Sequence, residues 1–425
     1  MKKHKDPPNQ TFEAIAAIKK KLLGKKLNYQ EIFALMDEVS HEKLGPILTT
    51  YFVAAGFKEG FSPSELYFLT KAMSETGTKL KFSGIVADKH STGGLAGTRT
   101  TMILVPIVAA AGFKIPKNSS RAITTPAGTA DTMEVLAPVT FPPEKIEKFV
   151  HKVGGCIVWG GHLGLAPADD IIIQVEQPLS FESFDKIIVS IMAKKIASGS
   201  NHIILDIPVG PTLKIKHFQD AEIVSKKFSF LAKKFDIKLT IDINHTLEPA
   251  GHGVGPALEA RDVLKVLYQE TDRPLVLEAK ALRLAGKLLD LCLDSTRARS
   301  NPGEGEELAR LLLTSGKALS KMREIIKIQG GREEVEVKDI HLGQYSHEVA
   351  AKHHGLITSF DNFNLTAIAK ILGCPTDKRA GIYLERRIDE KVDKNDILCI
   401  LYSTDKWRLK EATQTLPNLP IYKIE

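Results

Sequence analysis

The chain has 425 residues, 43% of them hydrophobic and 26% charged, with a formal net charge of +7. This is the balance of an ordinary soluble globular protein long enough for two or three domains. The mild basic excess suits anionic ligands at least as well as nucleic acid. Four widely separated cysteines (Cys156, Cys292, Cys374 and Cys399) form neither a CxxC nor a Cys/His spacing. That argues against a disulfide framework or a zinc site and for a reducing, cytoplasmic setting. The basic start MKKHKDPPNQ leads into no apolar stretch, and the longest apolar run, 102–113, is short and broken by Pro106. Neither a signal peptide nor a membrane partner is expected.

Residues 11–76 read as helical. TFEAIAAIKKKLLG and NYQEIFALMDEVS carry apolar residues at helical spacing, and SPSELYFLTKAMSETG opens on a Ser-Pro-Ser-Glu start signal. The lysine-rich stretch at 19–26 reads as a solvated face. From residue 84 the grammar changes. GIVADKH, GGCIVWGG and NHIILDIPVG are short β-branched runs, separated by helical stretches such as TMILVPIVAAAG, PPEKIEKFVHKV and DKIIVSIMAKKIASG. Strand and helix alternating in this way predict a mostly parallel sheet covered on both faces. The pattern continues through KLTIDINH and a helix pair at 256–295; STRARSNPGEGEE (295–307) reads as a polar loop. From 335 onward, short alternating segments with turn signals predict a β-rich C-terminal domain. Its DEKVDKNDIL stretch has the form of a carrier-domain hairpin, but Lys391 and Lys394 lack a carrier lysine's context, so a structural hairpin is expected.

The chemistry concentrates after the first predicted strand, in DKHSTGGLAGTRTT. Glycines let a backbone approach an oxyanion closely, and the helix that follows adds the positive end of its dipole. Lys89 supplies a compact charge, while Ser91, Thr92, Thr100 and Thr101 offer hydroxyl donors. The loop is neither a Walker A sequence nor a Rossmann fingerprint. A second hydroxyl-rich segment, NSSRAITTPAGTADT, lies one helix further on. Loops at the carboxyl ends of neighbouring parallel strands share one crevice, so the two together fit a small, multiply charged substrate.

These residues resemble the thymidine phosphorylase and AMP phosphorylase family. DKHSTGG is similar to its phosphate loop, SSRAITTPAGTADT to the AMP branch, and LAPADDIII, SIMAKK, GHGVGPALEARDVL and KRAGIYL extend the likeness over nearly the whole chain. The resemblance implies an α/β protein in three parts. A small all-helical domain over 11–83, joined by helices near 180–200, would pair subunits into a homodimer. A large α/β domain over 84–334 would bind phosphate on a mostly parallel sheet, and a β-rich α+β domain over 335–425 would complete it. The implied reaction is phosphorolysis: orthophosphate, the co-substrate, attacks the anomeric carbon of a nucleoside or nucleotide and releases the base. No metal or other cofactor is implied.

By motif position, Lys89, Ser91, Thr101, Ser119 and Thr129 fall on the family's phosphate contacts. Gly94, the run Ser120, Arg121, Ala122, Ile123, Thr124 and Thr125, together with Thr129 and Lys214, fall on nucleotide-contacting positions of the AMP branch. Ser190 and Lys194 fall on the base contacts of the pyrimidine enzymes. Two residues compete for the acid that protonates the departing base. One is Glu182, in PLSFE where the AMP branch carries Asp, and the other is His90, the candidate of the thymidine enzymes. The pyrimidine enzymes read a base carbonyl with an Arg; the corresponding stretch here, IIIQVEQPLS, has Gln174 and Gln177 instead. Arg99, Arg121 and Lys214 are the cations offered to a 5′-phosphate. AMP-branch members carry a further domain ahead of the helical segment, which here opens at residue 11, so assembly through that domain is not assumed, while the dimerising helices remain.

A nucleoside 5′-monophosphate such as AMP is the leading substrate class, with thymidine or another pyrimidine nucleoside as the alternative. Anthranilate phosphoribosyltransferase, of related fold, uses a GTGGD loop, and STGGLAG lacks its Asp. A non-catalytic nucleic-acid-binding or regulatory protein on this scaffold is the alternative from another class. No stripe of aromatics interleaved with Lys and Arg supports it.

Overall fold

The structure is a computed structural model and describes residues 10–176, 183–296 and 303–425. In chain order it forms α1 (Gln10–Leu22), α2 (Tyr29–Ser40), α3 (Gly45–Glu59), α4 (Pro63–Glu75), β1 (Ala87–Ser91), α5 (Thr100–Ala110), β2 (Ile115–Ser119), α6 (Thr129–Met133), α7 (Pro143–Val153) and β3 (Gly155–Trp159). There follow α8 (Pro167–Glu176), α9 (Phe184–Ala197), β4 (His202–Val209), α10 (Phe218–Lys234), β5 (Lys238–His245), β6 (Gly253–Val254), α11 (Pro256–Tyr268), α12 (Leu275–Leu293), α13 (Glu304–Thr314) and α14 (Lys317–Ile328). The C-terminal part contains β7 (Tyr345–Ala350), β8 (Gly355–Phe360), α15 (Asn362–Leu372), β9 (Gly381–Leu384), β10 (Lys391–Val392), β11 (Ile397–Ser403), α16 (Lys406–Thr415) and β12 (Tyr422–Ile424). Two compact units divide the chain.

The smaller unit takes residues up to Gly84, Gly160–Asn201 and Glu222–Lys238, and is helical. Its helices start where the sequence signals them. Asn28 with Glu31, and Ser62 with Glu65, form capping boxes at α2 and α4, each satisfying two otherwise orphaned backbone donors. Glu65 also accepts from Lys21 Nζ at 2.9 Å and from Leu27 N at 3.1 Å. The lysine stretch is therefore not wholly solvated. Lys21 is buried against that carboxylate, whereas Lys19, Lys25 and Lys26 face solvent.

The larger unit, Ile85–Trp159, His202–Ala221 and Leu239–Glu425, is built on the parallel sheet the alternation predicts. β1 pairs in parallel with β4, Ser91 lying opposite Asp206, and β4 neighbours β5. β2 pairs in parallel with β3, and a bridge between Val86 and Lys114 sets β2 beside β1. The order is thus β3-β2-β1-β4-β5, so the chain reverses its direction of travel across the sheet between β1 and β4. Such a switch point opens a crevice beyond the carboxyl ends of the two strands, where ligands bind in open α/β sheets. The loop DKHSTGG starts there. Helix α5, apolar on every side, is buried along nearly its whole length and packs against α12 and α14.

The C-terminal part adds two antiparallel sheets, β6-β9-β11-β7 and β10-β8-β12. Its core of Leu365, Ile368, Ile382 and Leu401 includes Ala96 from the loop after β1. The expected hairpin at DEKVDKNDIL is not one: the strands on either side of it pair in different sheets. Val392 and Leu398 bury together with Ala351 and Ile357, and that small cluster draws the chain across from one sheet to the other. The polar loop expected at 295–307 is also shorter than predicted. Glu304, Glu306 and Glu307 form the first turn of α13, where acidic side chains complement the helix dipole, and 297–302 lie outside the described residues. All four cysteines are free and buried. Among the described residues no helix is long and apolar enough to cross a membrane.

Candidate active site

At the switch point, strand alternation puts Lys89 and Ser91 on one face of β1 and His90 on the other. Lys89 is buried. Its Nζ lies 3.6 Å from Asp206 Oδ2, and Lys280 Nζ lies 3.6 Å from the other oxygen of the same carboxylate. Asn244 Nδ2 donates to Asp206 Oδ1 at 2.9 Å, and Lys280 donates to Asn244 Oδ1 at 3.0 Å. Burial pushes the Lys89 ammonium down to about 8; Asp206 opposes that shift, while Lys280 and Arg99 add to it. Burial alone would raise the Asp206 carboxyl, but Lys89, Lys280 and hydrogen bonds from Asn244 and Ser91 hold it below its ordinary range. Two cations thus share one carboxylate in a buried site, which leaves a positive excess suited to an anion.

Gly93, Gly94 and Gly97 carry the loop through left-handed backbone with φ of 84°, 86° and 57°. A Cβ at Gly94 would come within 3.0 Å of Lys214, so these two predicted substrate contacts are neighbours. Thr101 is buried in the first turn of α5. The hydroxyls of Thr92 and Thr100 and the Nδ2 of Asn118, all buried, have no hydrogen-bond partner among the described residues. Arg99 reaches across the loop to Glu259 (Nε–Oε2 2.6 Å) and donates to the Thr129 hydroxyl at 3.4 Å. Glu259 in turn accepts from Gly97 N at 3.1 Å and the Thr132 hydroxyl at 3.1 Å.

The second segment leaves β2 at Ser119. Arg121 is not free to meet an anion. It forms a bidentate pair with Glu134 at 2.6 Å, bonds Asp131 Oδ1 at 3.0 Å and lies over the Trp159 ring. The Arg121 guanidinium holds the Glu134 carboxyl down at about 2, with Lys378 contributing. Asp131 fixes the turn by accepting from Ala122 N at 2.7 Å and Gly128 N at 2.9 Å. Ser120, Ile123 and Thr124 are exposed, and the Thr125 hydroxyl is turned inward onto Ala127 O at 2.9 Å.

Ser190 and Lys194 belong to the helical unit, one turn apart on α9, and both meet α8. The Ser190 hydroxyl donates to Asp169 Oδ2 at 2.6 Å; Lys194 bonds that oxygen at 2.9 Å and Asp170 Oδ1 at 3.0 Å. Burial works against the Lys194 ammonium, but the two aspartates outweigh it and raise its pKa. Lys186, one turn before Ser190 and paired with Glu176, is pushed down to about 8 by burial. Gln174 is exposed on α8. Glu182 and Gln177 lie outside the described residues. Among the described residues no group of three or more His, Cys, Asp or Glu side chains is placed to hold a metal ion.

Asp206, Asn244 and Lys280 line the candidate site but lie outside the motifs behind the resemblance, as does Asn362, which donates to Gly94 O from the start of α15; Glu259 lies inside GHGVGPALEARDVL, where nothing singles it out. One signal was visible: Asp206 is a lone charge in the middle of the apolar run HIILDIPV, and a charge so placed needs a partner.

A helical bundle, a parallel sheet with a buried cationic cluster at its switch point and an antiparallel C-terminal part define a pentosyltransferase of the glycosyl transferase type. Residues 83–319 match the a/b domain of that family, residues 15–77 its helical bundle domain, and residues 356–421 the pyrimidine nucleoside phosphorylase C-terminal domain. The chain is 41% identical over 423 residues to an AMP phosphorylase of Methanocaldococcus jannaschii, covering all of this chain and 82% of the relative. It is 39% identical over 406 residues to a Legionella pneumophila (strain Corby) protein provisionally named a thymidine phosphorylase, covering 95% and 77% respectively. The crystal structure of anthranilate phosphoribosyltransferase from Thermus thermophilus superposes with a TM-score of 0.61 at 18% identity, over 74% of this chain and 99% of that one, which shows a shared fold. The chain belongs to the thymidine phosphorylase and AMP phosphorylase family.

Proposed function

We propose that the protein cleaves the N-glycosidic bond of a nucleoside 5′-monophosphate of the AMP type with orthophosphate, giving free base and ribose 1,5-bisphosphate. The observation that carries this is the buried Lys89–Asp206–Lys280 cluster at the switch point, in a chain 41% identical to an AMP phosphorylase. Lys89 and Ser91, with Thr101, Ser119 and Thr129, grip phosphate and aim it at the anomeric carbon, which is positioning work. Gly94, residues 120–125 and Lys214 take the nucleotide, and Ser190 and Lys194 the base. Positive charge builds on the sugar and negative charge on the departing base, as in glycoside cleavage. Glu182 or His90 supplies the proton. On this reading orthophosphate is the only co-substrate, and no metal or cofactor is used.

The same reading makes the protein a cytoplasmic homodimer in three parts, 11–83, 84–334 and 335–425. Exposed Phe12, Leu23, Ile47 and Tyr51 on and just after α1 and on α3 support pairing through the helical unit. A pyrimidine nucleoside is the second substrate class, favoured by the match to a pyrimidine nucleoside phosphorylase C-terminal domain. AMP, CMP, UMP, thymidine and uridine, each incubated with phosphate and followed by chromatography of the free base, separate the two. Cleavage of AMP with thymidine untouched is the expected result; turnover of thymidine with no nucleotide cleaved refutes the nucleotide reading.

A further inference from the structure

The loop after β1 does not hold its own shape. Gly93 and Gly94 are both left-handed, a conformation glycine permits without preferring it strongly. The ends are anchored: Thr92 N donates to Asp206 O at 3.0 Å, Gly97 N to Glu259 Oε1 at 3.1 Å, and Gly97 O accepts from Gly251 N at 2.8 Å. Between those anchors the flanking residues make two weak local bonds, Gly93 N to Ser91 Oγ at 3.4 Å and the Thr98 hydroxyl to Ala96 O at 3.1 Å; among the described residues one side chain from elsewhere in the chain hydrogen-bonds the segment. Asn362, the first residue of α15, donates from Nδ2 to Gly94 O and accepts from Ala96 N at Oδ1 (3.2 Å). It is 2% exposed. Its own helix does not need it as a cap, because Asp361 does that by accepting from Asn364 N at 2.8 Å.

We infer that Asn362 is a positioning residue for the phosphate loop, fixing by a two-point amide contact the backbone that meets orthophosphate. A carboxamide suits this task because it offers one donor and one acceptor side by side, matching a backbone C=O and the N–H two residues on. Among the described residues nothing accepts from the Gly94 or Leu95 N–H. The clamp therefore grips the carbonyl and amide that flank the Leu95 N–H, with the Gly94 N–H just before them, and these two N–H groups can converge on an oxyanion. The same helix reaches the second loop as well, where Lys370 Nζ donates to Ile123 O at 3.3 Å. The C-terminal part is thus a brace for the site as well as a domain packed beside it.

This inference rests on the proposal that the loop holds orthophosphate, and the test separates the two. Asn362→Asp keeps the size and the acceptor but loses the donor to Gly94 O; Asn362→Ala loses both. Two quantities are read for each: the rise in melting temperature on adding phosphate, which needs no turnover, and the KM values for phosphate and nucleotide. The expected result is a phosphate KM raised about tenfold, a nucleotide KM within about twofold of wild type, and a phosphate-induced melting shift that shrinks in step. An unchanged phosphate KM and melting shift in a folded variant overturns the inference, as does an equal rise in both KM values, the mark of a merely structural role. If Asn362→Ala fails to fold, Asn362→Ser decides, because it is uncharged and too short to reach both Gly94 O and Ala96 N, whereas the Asp variant also adds a negative charge that repels phosphate. Should the wild type cleave none of the nucleotides yet still be stabilised by phosphate, the substrate proposal falls while the melting shift still tests Asn362.

Discussion

Replacing Lys89 by Met should separate function from stability. The methionine keeps most of the apolar stem and removes the charge. Burial pushes the Lys89 ammonium from 10.5 down to about 8, so keeping it protonated near neutral pH costs the folded protein about 3 kcal/mol. Asp206, left behind, retains Lys280 at 3.6 Å and the Asn244 amide at 2.9 Å. It therefore does not become an unpaired buried charge, and loss of its Lys89 contact offsets only part of the stabilisation. In phosphate-free buffer at pH 7, Lys89→Met should melt no lower than wild type. Phosphate binding loses a charge-assisted contact of roughly 1.5–3 kcal/mol, a rise in phosphate KM of about ten- to hundredfold. The pH dependence has a definite sign. The folded-state pKa lies below the unfolded value, so the penalty is full below pH 8 and fades as pH rises toward 10.5. Wild type should accordingly become more stable relative to the variant over that interval. Melting curves at pH 7 and pH 9.5, with and without phosphate, together with initial rates, provide the check. A variant that melts many degrees lower at pH 7, or keeps its phosphate KM within about threefold, refutes the argument.

Arg99→Leu leaves Glu259 buried without its cation, and should cost about 3–5 kcal/mol, read as a lower denaturation midpoint. Raising the pH above 8 in wild type should weaken phosphate binding, its KM climbing toward about tenfold per pH unit as Lys89 loses its proton; a flat profile to pH 9.5 would remove Lys89 from the site. Glu182→Gln and His90→Ala, made separately, identify the acid: the correct one slows base release by about a hundredfold or more with the KM values little changed. If neither variant is slow, both assignments fail. Chelators should leave base release unchanged, a result a magnesium-dependent phosphoribosyl transfer would not give.

How far the sequence shows the fold depends on where each segment's partners lie. β4 and β5 were legible because apolar β-branched runs between turn signals look like buried strands. β2 was not. Ile115-Pro-Lys-Asn-Ser has a proline and three polar residues, yet four of its five residues are buried. It tolerates burial because Lys117 Nζ donates to Lys89 O at 2.7 Å and lies 3.3 Å from Asp88 Oδ1, contacts made with another strand. The same distinction holds at the site. Lys89, Ser91 and Gly94 stand in one local motif, whereas Asp206, Lys280, Glu259 and Asn362 come to it from strands and helices more than a hundred residues away. Lys280 was further disguised by its place on the apolar helix α12, where a lysine reads as solvent-facing.

The cations of the site divide into two groups, and the division bears on the substrate. Lys89 and Lys280 share Asp206, so an arriving phosphate meets charge that is only half neutralised. Arg99 and Arg121 are committed: Arg99 to Glu259, and Arg121 to Glu134 and Asp131, the same carboxylates that Lys378 also serves. Either arginine could turn to a 5′-phosphate only by abandoning a buried or half-buried carboxylate, and that loss is comparable to what the new ion pair with the phosphate would contribute. On the proposed nucleotide reading, a 5′-phosphate would therefore draw its affinity from the hydroxyls and backbone of the 120–125 segment and from Lys214 beside Gly94, with the arginines holding that segment in shape. On that reading the site would favour a nucleotide over a nucleoside by the modest margin of neutral hydrogen bonds and one lysine, so discrimination would depend on how firmly the two loops are held.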